Sequence, residues 1–173
     1  MNTLIIGNRG QDGTLLTELL ESQNQAWTGI ASDGTLQGSH SEANEKLNIL
    51  DPEAVANFIK NTQPKHIYYL AAWHTSSEAA ATQTACDDFS ASLNTHCVGL
   101  LNFLESIKQC SPTSHLFYAS SSLIFSGKNG NTQNEDTPQE PQGYYGISKS
   151  AGMQLCRHYR NAHNVFASSG ILY

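Results

Sequence analysis

The sequence predicts an α/β fold, a doubly wound parallel sheet with helices on both faces and strand order 3-2-1-4-5-6. Three observations carry this expectation. Short apolar runs alternate with amphipathic stretches along the whole chain, the pattern of linked β-α-β units. The first run, Leu4-Ile5-Ile6, meets Gly7, Gly10 and Gly13 at GxxGxxG spacing, and a helical pattern from Leu15 follows at once. A later run, His115 to Ala119, leads into Ser120-Ser121-Ser122, which puts hydroxyls beyond the carboxyl end of a strand, where such sheets bind ligands.

The elements follow in order. Residues 3–6 read as the first strand and 12–22 as the first helix. Ala26 to Ala31 reads as the second strand and Lys46 to Ile49 as a short third one. A helix starts at Pro52 with Asp51 as its N-cap, and Val55, Phe58 and Ile59 give its apolar stripe. His66 to Ala72 reads as a buried strand. Residues 85–109 form a long helical pattern with a broad apolar face. After the fifth strand, 127–143 is a polar loop. A helix over Tyr145 to Asn161 and a strand over Val165 to Tyr173 complete the set. At 173 residues the chain fits a single domain, 1–173.

Composition narrows the function. Nine Lys and Arg against 15 Asp and Glu give a net charge of -6, which argues against nucleic acid or an anionic membrane as partner. No apolar run has transmembrane length, and no basic segment or cleavage site precedes the first strand, so a cytoplasmic location is expected. Cys86, Cys97, Cys110 and Cys156 are widely spread and no HxxxH or HxH pair occurs, so no metal site is expected. Cys97 and Cys156 fall in apolar helical patterns and read as buried structural thiols.

The glycine spacing suits a pyrophosphate. Glycines permit a sharp turn and close backbone approach, and the following helix presents its positive end to the anion. Gly7, Arg9, Gly10, Gln11, Asp12 and Gly13 are therefore candidate dinucleotide contacts. Tyr145 and Lys149 lie at i and i+4, on one helix face. An ammonium beside a phenol favours phenolate, so Lys149 is expected to lower the pKa of Tyr145 and make it an acid or base near neutral pH. With a neighbouring Ser hydroxyl, the pair suits proton transfer at a carbinol or carbonyl while a nicotinamide exchanges hydride.

Together these residues resemble the extended short-chain dehydrogenase/reductase family, the NAD(P)-dependent nucleotide-sugar epimerases and dehydratases. The resemblance covers essentially the whole chain, and the glycine loop looks most like that of the GDP-mannose 4,6-dehydratases. It implies an NAD(P)-binding Rossmann domain with Ser122, Tyr145 and Lys149 as the catalytic set, Lys149 also holding the nicotinamide ribose. It further implies that Leu70-Ala71-Ala72 lies along the cofactor and that Asn48-Ile49 lies near adenine, where an Asp is usual. A homodimer through the 85–109 and 145–161 helices and a nucleotide-sugar substrate are also implied.

Departures from the pattern bear on the reaction. Leu123 and Ile124 stand where dehydratases of this family carry acids, so epimerase or ketoreductase chemistry is more compatible than dehydration. His96 stands where Asn is common, and Ser126 where Tyr is common. The sequence stops at Tyr173, whereas members of the family continue into a smaller substrate domain, so cofactor binding with weak or absent turnover is expected of this chain. Asp33 is placed to hold the ribose hydroxyls of NAD, whereas Arg9 can pair with a 2′-phosphate; the loop resemblance tilts the choice to NADP. A non-catalytic dinucleotide-binding or regulatory module is the alternative reading, with the Ser122, Tyr145 and Lys149 set arguing for an enzyme.

Overall fold

The computed structural model describes residues 3–39, 45–73, 84–127 and 132–173. Six strands form one sheet in the order β3-β2-β1-β4-β5-β6, as the sequence predicts. The strands are β1 (Thr3–Ile6), β2 (Trp27–Ile30), β3 (Leu36–Gly38), β4 (His66–Tyr69), β5 (His115–Ser121) and β6 (Phe166–Leu172). Between them run α1 (Gln11–Ser22), α2 (Pro52–Thr62), α3 (Ala85–Leu93), α4 (Leu100–Cys110) and α5 (Gly143–His163).

The alternation of strand residues sorts the two faces of the sheet. Leu4, Ile6, Ile30, Ile67, Tyr69, Leu116 and Tyr118 point to one face and pack against Val55 and Ile59 of α2, Leu100, Phe103, Leu104 and Ile107 of α4, and Cys156 and Tyr159 of α5. The right-handed crossover rule places α1, whose connection runs the other way along the sheet, on the opposite face.

Two expectations need correction. The third strand is Leu36–Gly38, not Lys46 to Ile49, and it runs antiparallel to β2, so the sheet is mixed rather than wholly parallel. The cause is a turn too short for a crossover. Ala31 N–H donates to Thr35 O, Gly34 takes φ +80°, and the Asp33 carboxylate accepts from Thr35 N–H at 3.0 Å. Asp33-Gly34 is itself a hairpin signal in the sequence. Lys46 contributes an isolated bridge to Thr35 instead of a strand.

The second correction concerns the 85–109 pattern, which is three pieces: α3, a π-helical turn at Asn94–Gly99, and α4. Tyr69 of β4 drives its hydroxyl onto the Thr95 carbonyl at 2.6 Å, and a Cβ at Gly99 would lie 2.6 Å from that hydroxyl. The helix widens where this side chain enters it.

Smaller differences fall at element ends. β4 stops at Tyr69, leaving Leu70-Ala71-Ala72 beyond the strand, and α5 begins two residues before Tyr145. Of the expected 127–143 loop, residues 128–131 lie outside the described residues. No helix among the described residues is long and apolar enough to cross a membrane.

The N-cap of α2 is as predicted: the Asp51 carboxylate accepts from Glu53 N–H and Ala54 N–H, both at 3.0 Å. Replacing Asp51 with Ala leaves those donors to water. The expected loss is about 1 kcal/mol, a fall of about 2–5 °C in thermal midpoint by calorimetry.

Candidate functional site

The glycine loop is shaped by contacts that tolerate no side chain. Gly7 has φ +94°, and a Cβ there would come within 2.8 Å of Ala71 N. At Gly13 a Cβ would collide with the Gly7 carbonyl oxygen. Gly7 N–H donates to Ile30 O at 2.8 Å and Gly10 N–H to Gly7 O at 3.0 Å, so the loop is tied to β2 and folded on itself. Gly10 is the N-cap of α1 and supplies no side-chain cap, so the first-turn N–H groups remain for another acceptor.

That helix end opens on a cleft of about 760 Å³ at the carboxyl ends of β1, β2 and β4. Gly7, Arg9, Gly10, Gln11, Asp12 and Gly13 form one wall. Asp33 comes from the hairpin turn, Asn48 and Ile49 from the segment before α2, and Leu70, Ala71 and Ala72 from the segment after β4. A cradle with glycine backbone, an uncapped helix end and this volume fits a dinucleotide. The further lining residues include Ser32, Lys46, Trp73 and Thr95, which the sequence does not mark as site residues. Trp73 directly follows the Leu70-Ala71-Ala72 segment and was legible from it. Thr95 reaches the cleft through the π-helical turn, which no periodicity announces.

Charge gathers at the β2 end of this cleft. Arg9 Nη1 lies 3.6 Å from the Asp33 carboxylate, and Arg9 Nε donates to Gln37 Oε1 at 3.1 Å. Asn8 Nδ2 donates to the same Gln37 oxygen at 2.9 Å, so β3 steadies the glycine loop. The Thr35 N–H, then Arg9 and Lys46, hold the Asp33 carboxyl below its ordinary pKa.

Ser122, Tyr145 and Lys149 come from two neighbouring elements. Ser122 opens a 3-10 turn, Ser122–Ile124, at the end of β5. α5 packs against that turn, and Gly146 is what permits the approach, since a Cβ there would collide with the Leu123 carbonyl oxygen. Ser122 and Tyr145 are half-buried. Lys149 is 2% exposed; its Nζ donates to Ala119 O at 2.8 Å and lies 5.2 Å from the Tyr118 ring centroid and 5.6 Å from that of Tyr145. Ser122, Tyr145 and Lys149 do not line the 760 Å³ cleft itself; Tyr145 stands edge-on to His96, whose neighbour Thr95 does line it.

The expected lowering of the Tyr145 pKa is not what the geometry gives. Burial raises it, because desolvation penalises phenolate. Burial also pulls the Lys149 ammonium down to about 8. Of the two aliphatic residues at the acid positions, Ile124 is fully buried and Leu123 is 47% exposed.

His96 links both halves of the site. The Trp73 N–H donates to His96 Nε2 at 3.0 Å, which leaves the proton on Nδ1. Nδ1–H donates to Ser148 Oγ at 2.8 Å, Ser148 Oγ–H donates to Tyr145 O at 3.0 Å, and Ser92 Oγ is 2.8 Å from the same Ser148 oxygen. The His96 ring stands edge-on to Tyr145, centroids 5.2 Å apart. Burial, then Lys149, lowers the His96 pKa to about 3.

The family model described as "NAD dependent epimerase/dehydratase family" matches residues 3–173. The chain belongs to that family. Among curated relatives, the GDP-mannose 4,6 dehydratase of Drosophila melanogaster is 29% identical over 187 residues, which cover 98% of this chain and 46% of the relative. Two solved structures show the fold. The UDP-glucose 4-epimerase of Brucella ovis in complex with NAD has TM-score 0.76 at 19% identity, covering 98% of this chain and 51% of that one. The dTDP-4-dehydrorhamnose reductase of Bacillus anthracis in complex with NADP has TM-score 0.72 at 21% identity, covering 99% and 52%. The chain thus spans about half the length of the relatives it matches.

Lys149 leaves a signature in the pH dependence of stability. Its pKa is lower folded than unfolded, so between about pH 8 and 10.5 the unfolded state holds a proton that the folded state has released. Stability therefore rises with pH across that window. Denaturant titrations of wild type and Lys149→Met at several pH values should show wild type gaining on the variant by a few kcal/mol from about pH 8 upward. A difference that stays flat would contradict the buried ammonium.

Proposed function

We propose that this chain is the dinucleotide-binding, proton-transferring half of an oxidoreductase that acts on a nucleotide-sugar. The observation that carries the reading is the 760 Å³ cleft, walled by the glycine loop and the Leu70-Ala71-Ala72 segment and opening at the uncapped end of α1. Gly7, Gly10, Gln11, Asp12 and Gly13 would take the pyrophosphate side, with Arg9, Asp33, Asn48 and Ile49 around the adenosine and Leu70, Ala71 and Ala72 along the dinucleotide. The dinucleotide, when bound, supplies the hydride acceptor or donor.

Tyr145 is the proposed acid or base at the sugar carbinol, with the Ser122 hydroxyl hydrogen-bonding the same oxygen. Its phenol is raised by burial, so it is protonated at neutral pH and suited to donating a proton to a developing alkoxide. Lys149 stands behind the ring as a fixed positive charge that favours phenolate during the transfer and would reach the nicotinamide ribose. The aliphatic Leu123 and Ile124 favour epimerisation or keto-reduction over loss of water, despite the dehydratase relatives, because neither can take a proton. Exposed Val98, Leu101, Tyr144 and Ile147 on α4, α5 and the turn between α3 and α4 support a homodimer through these helices. The cytoplasm, with its supply of reduced dinucleotides, is the proposed location.

Arg9 tilts the cofactor toward NADP, since its guanidinium can pair with a 2′-phosphate, while Asp33 opposes that group. Calorimetry should therefore find Asp33→Asn binding NADP about tenfold more tightly relative to NAD than wild type does. An unchanged ratio removes Asp33 from the discrimination. Tyr145→Phe should keep dinucleotide affinity within about threefold and lower any turnover by about a hundredfold or more. A chain that binds dinucleotide while no variant or substrate reveals turnover would be the binding module instead.

A further inference from the structure

Of the groups left unassigned by that reading, His96 is the one the geometry constrains most. It is fully buried, sits in the π-helical turn, and bonds at both ring nitrogens to different parts of the fold. We propose that His96 is a two-ended bracket, a positioning residue whose Nε2 fixes the Trp73 segment of the cleft wall and whose Nδ1, through Ser148, fixes the turn of α5 that carries Tyr145.

Each end has its own geometry. At one end the ring accepts from the Trp73 backbone N–H, directly after Leu70-Ala71-Ala72, a stretch beyond β4 that is tied to β1 by the bond from Leu70 N–H to Ile6 O at 2.8 Å. At the other, Ser148 stands between Tyr145 and Lys149 in α5 and is itself fully buried. Its hydroxyl accepts from His96 Nδ1–H and donates to Tyr145 O, so its rotamer is set by the histidine. The edge-on ring contact with Tyr145 adds a direct restraint on the phenol. Ser92 closes the cluster with a hydroxyl against Ser148, so each hydroxyl and both ring nitrogens have partners. The adjacent Thr95 lines the cleft while His96 faces inward, so one π-helical turn serves the dinucleotide wall and the acid–base helix together.

The inference rests on the reading of the cleft as a dinucleotide site only for its Trp73 end, and the two ends are separable by substitution. In His96→Asn the amide nitrogen can replace Nδ1 and keep the Ser148 bond. In His96→Gln the longer amide oxygen can replace Nε2 and keep the Trp73 bond. Two quantities are read on the full chain: the Kd for NADP and NAD by calorimetry, and the pH titration of Tyr145 by NMR of isotope-labelled tyrosine, its signal identified by loss in Tyr145→Phe.

Expected are about tenfold weaker dinucleotide binding with near-native Tyr145 titration in His96→Asn, and near-native binding with a Tyr145 titration shifted by about half a pH unit or more in His96→Gln. Ser148→Ala should behave as His96→Gln does. The proposal is overturned if the Asn and Gln variants, both folded by circular dichroism, change the two quantities alike or change neither. Should wild type bind no dinucleotide, the cleft reading falls. The Tyr145 arm then decides the Ser148 end by itself: a shift in His96→Gln and Ser148→Ala supports it, and no shift overturns it.

Discussion

An ammonium group buried behind a phenol constrains this part of the molecule more than any other interaction. Lys149 has water on almost none of its surface, and its hydrogen bond goes to a main-chain carbonyl, that of Ala119. Such a charge is costly to bury unless dipoles and ring faces surround it. Ala119 and the Tyr118 and Tyr145 rings supply them, so the end of β5, the start of α5 and the lysine must form together. The close passages at Gly146 and at Gly152, where a Cβ would strike the Tyr118 hydroxyl, serve the same arrangement.

The division between what sequence reveals and what it hides follows the range of the interactions. Strand order, the α2 cap and the i, i+4 relation of Tyr145 and Lys149 rest on local pattern and on connection rules, and all were legible. The antiparallel β3 is hidden because Leu47 and Ile49 carry the apolar pattern of a strand, whereas β3 itself is set by the two-residue turn chemistry of Asp33-Gly34. The π-helical turn was missed because its cause is Tyr69, distant in sequence. His96 stood out only as a substitution; its bonds join Trp73, Ser92 and Ser148, whose meeting no spacing encodes.

The direction of the Tyr145 shift has a similar origin. A lysine one helical turn away is a strong local cue for an acidic phenol. Burial acts on both groups and opposes charge on each, so the phenol rises while the ammonium falls. Proximity in sequence identifies the pair; only the surrounding dielectric fixes which way each member moves. The same holds at the other end of the cleft, where Asp33 reads as a ribose ligand in the sequence and is also the acceptor that closes a hairpin turn.

The edge of the sheet carries one more consequence. Seven residues of β6 align in register with β5, from Phe166 opposite His115 to Leu172 opposite Ser121. A strand this long with one bonded neighbour among the described residues turns a ladder of amide and carbonyl groups outward. Ser168, Ser169 and Gly170 carry little bulk to screen that ladder. The outer rim of β6 is met in part from within the chain, since Arg160 Nη1 donates to the Ala167 carbonyl at 2.6 Å and a helix side chain thus takes up a group that the sheet leaves over.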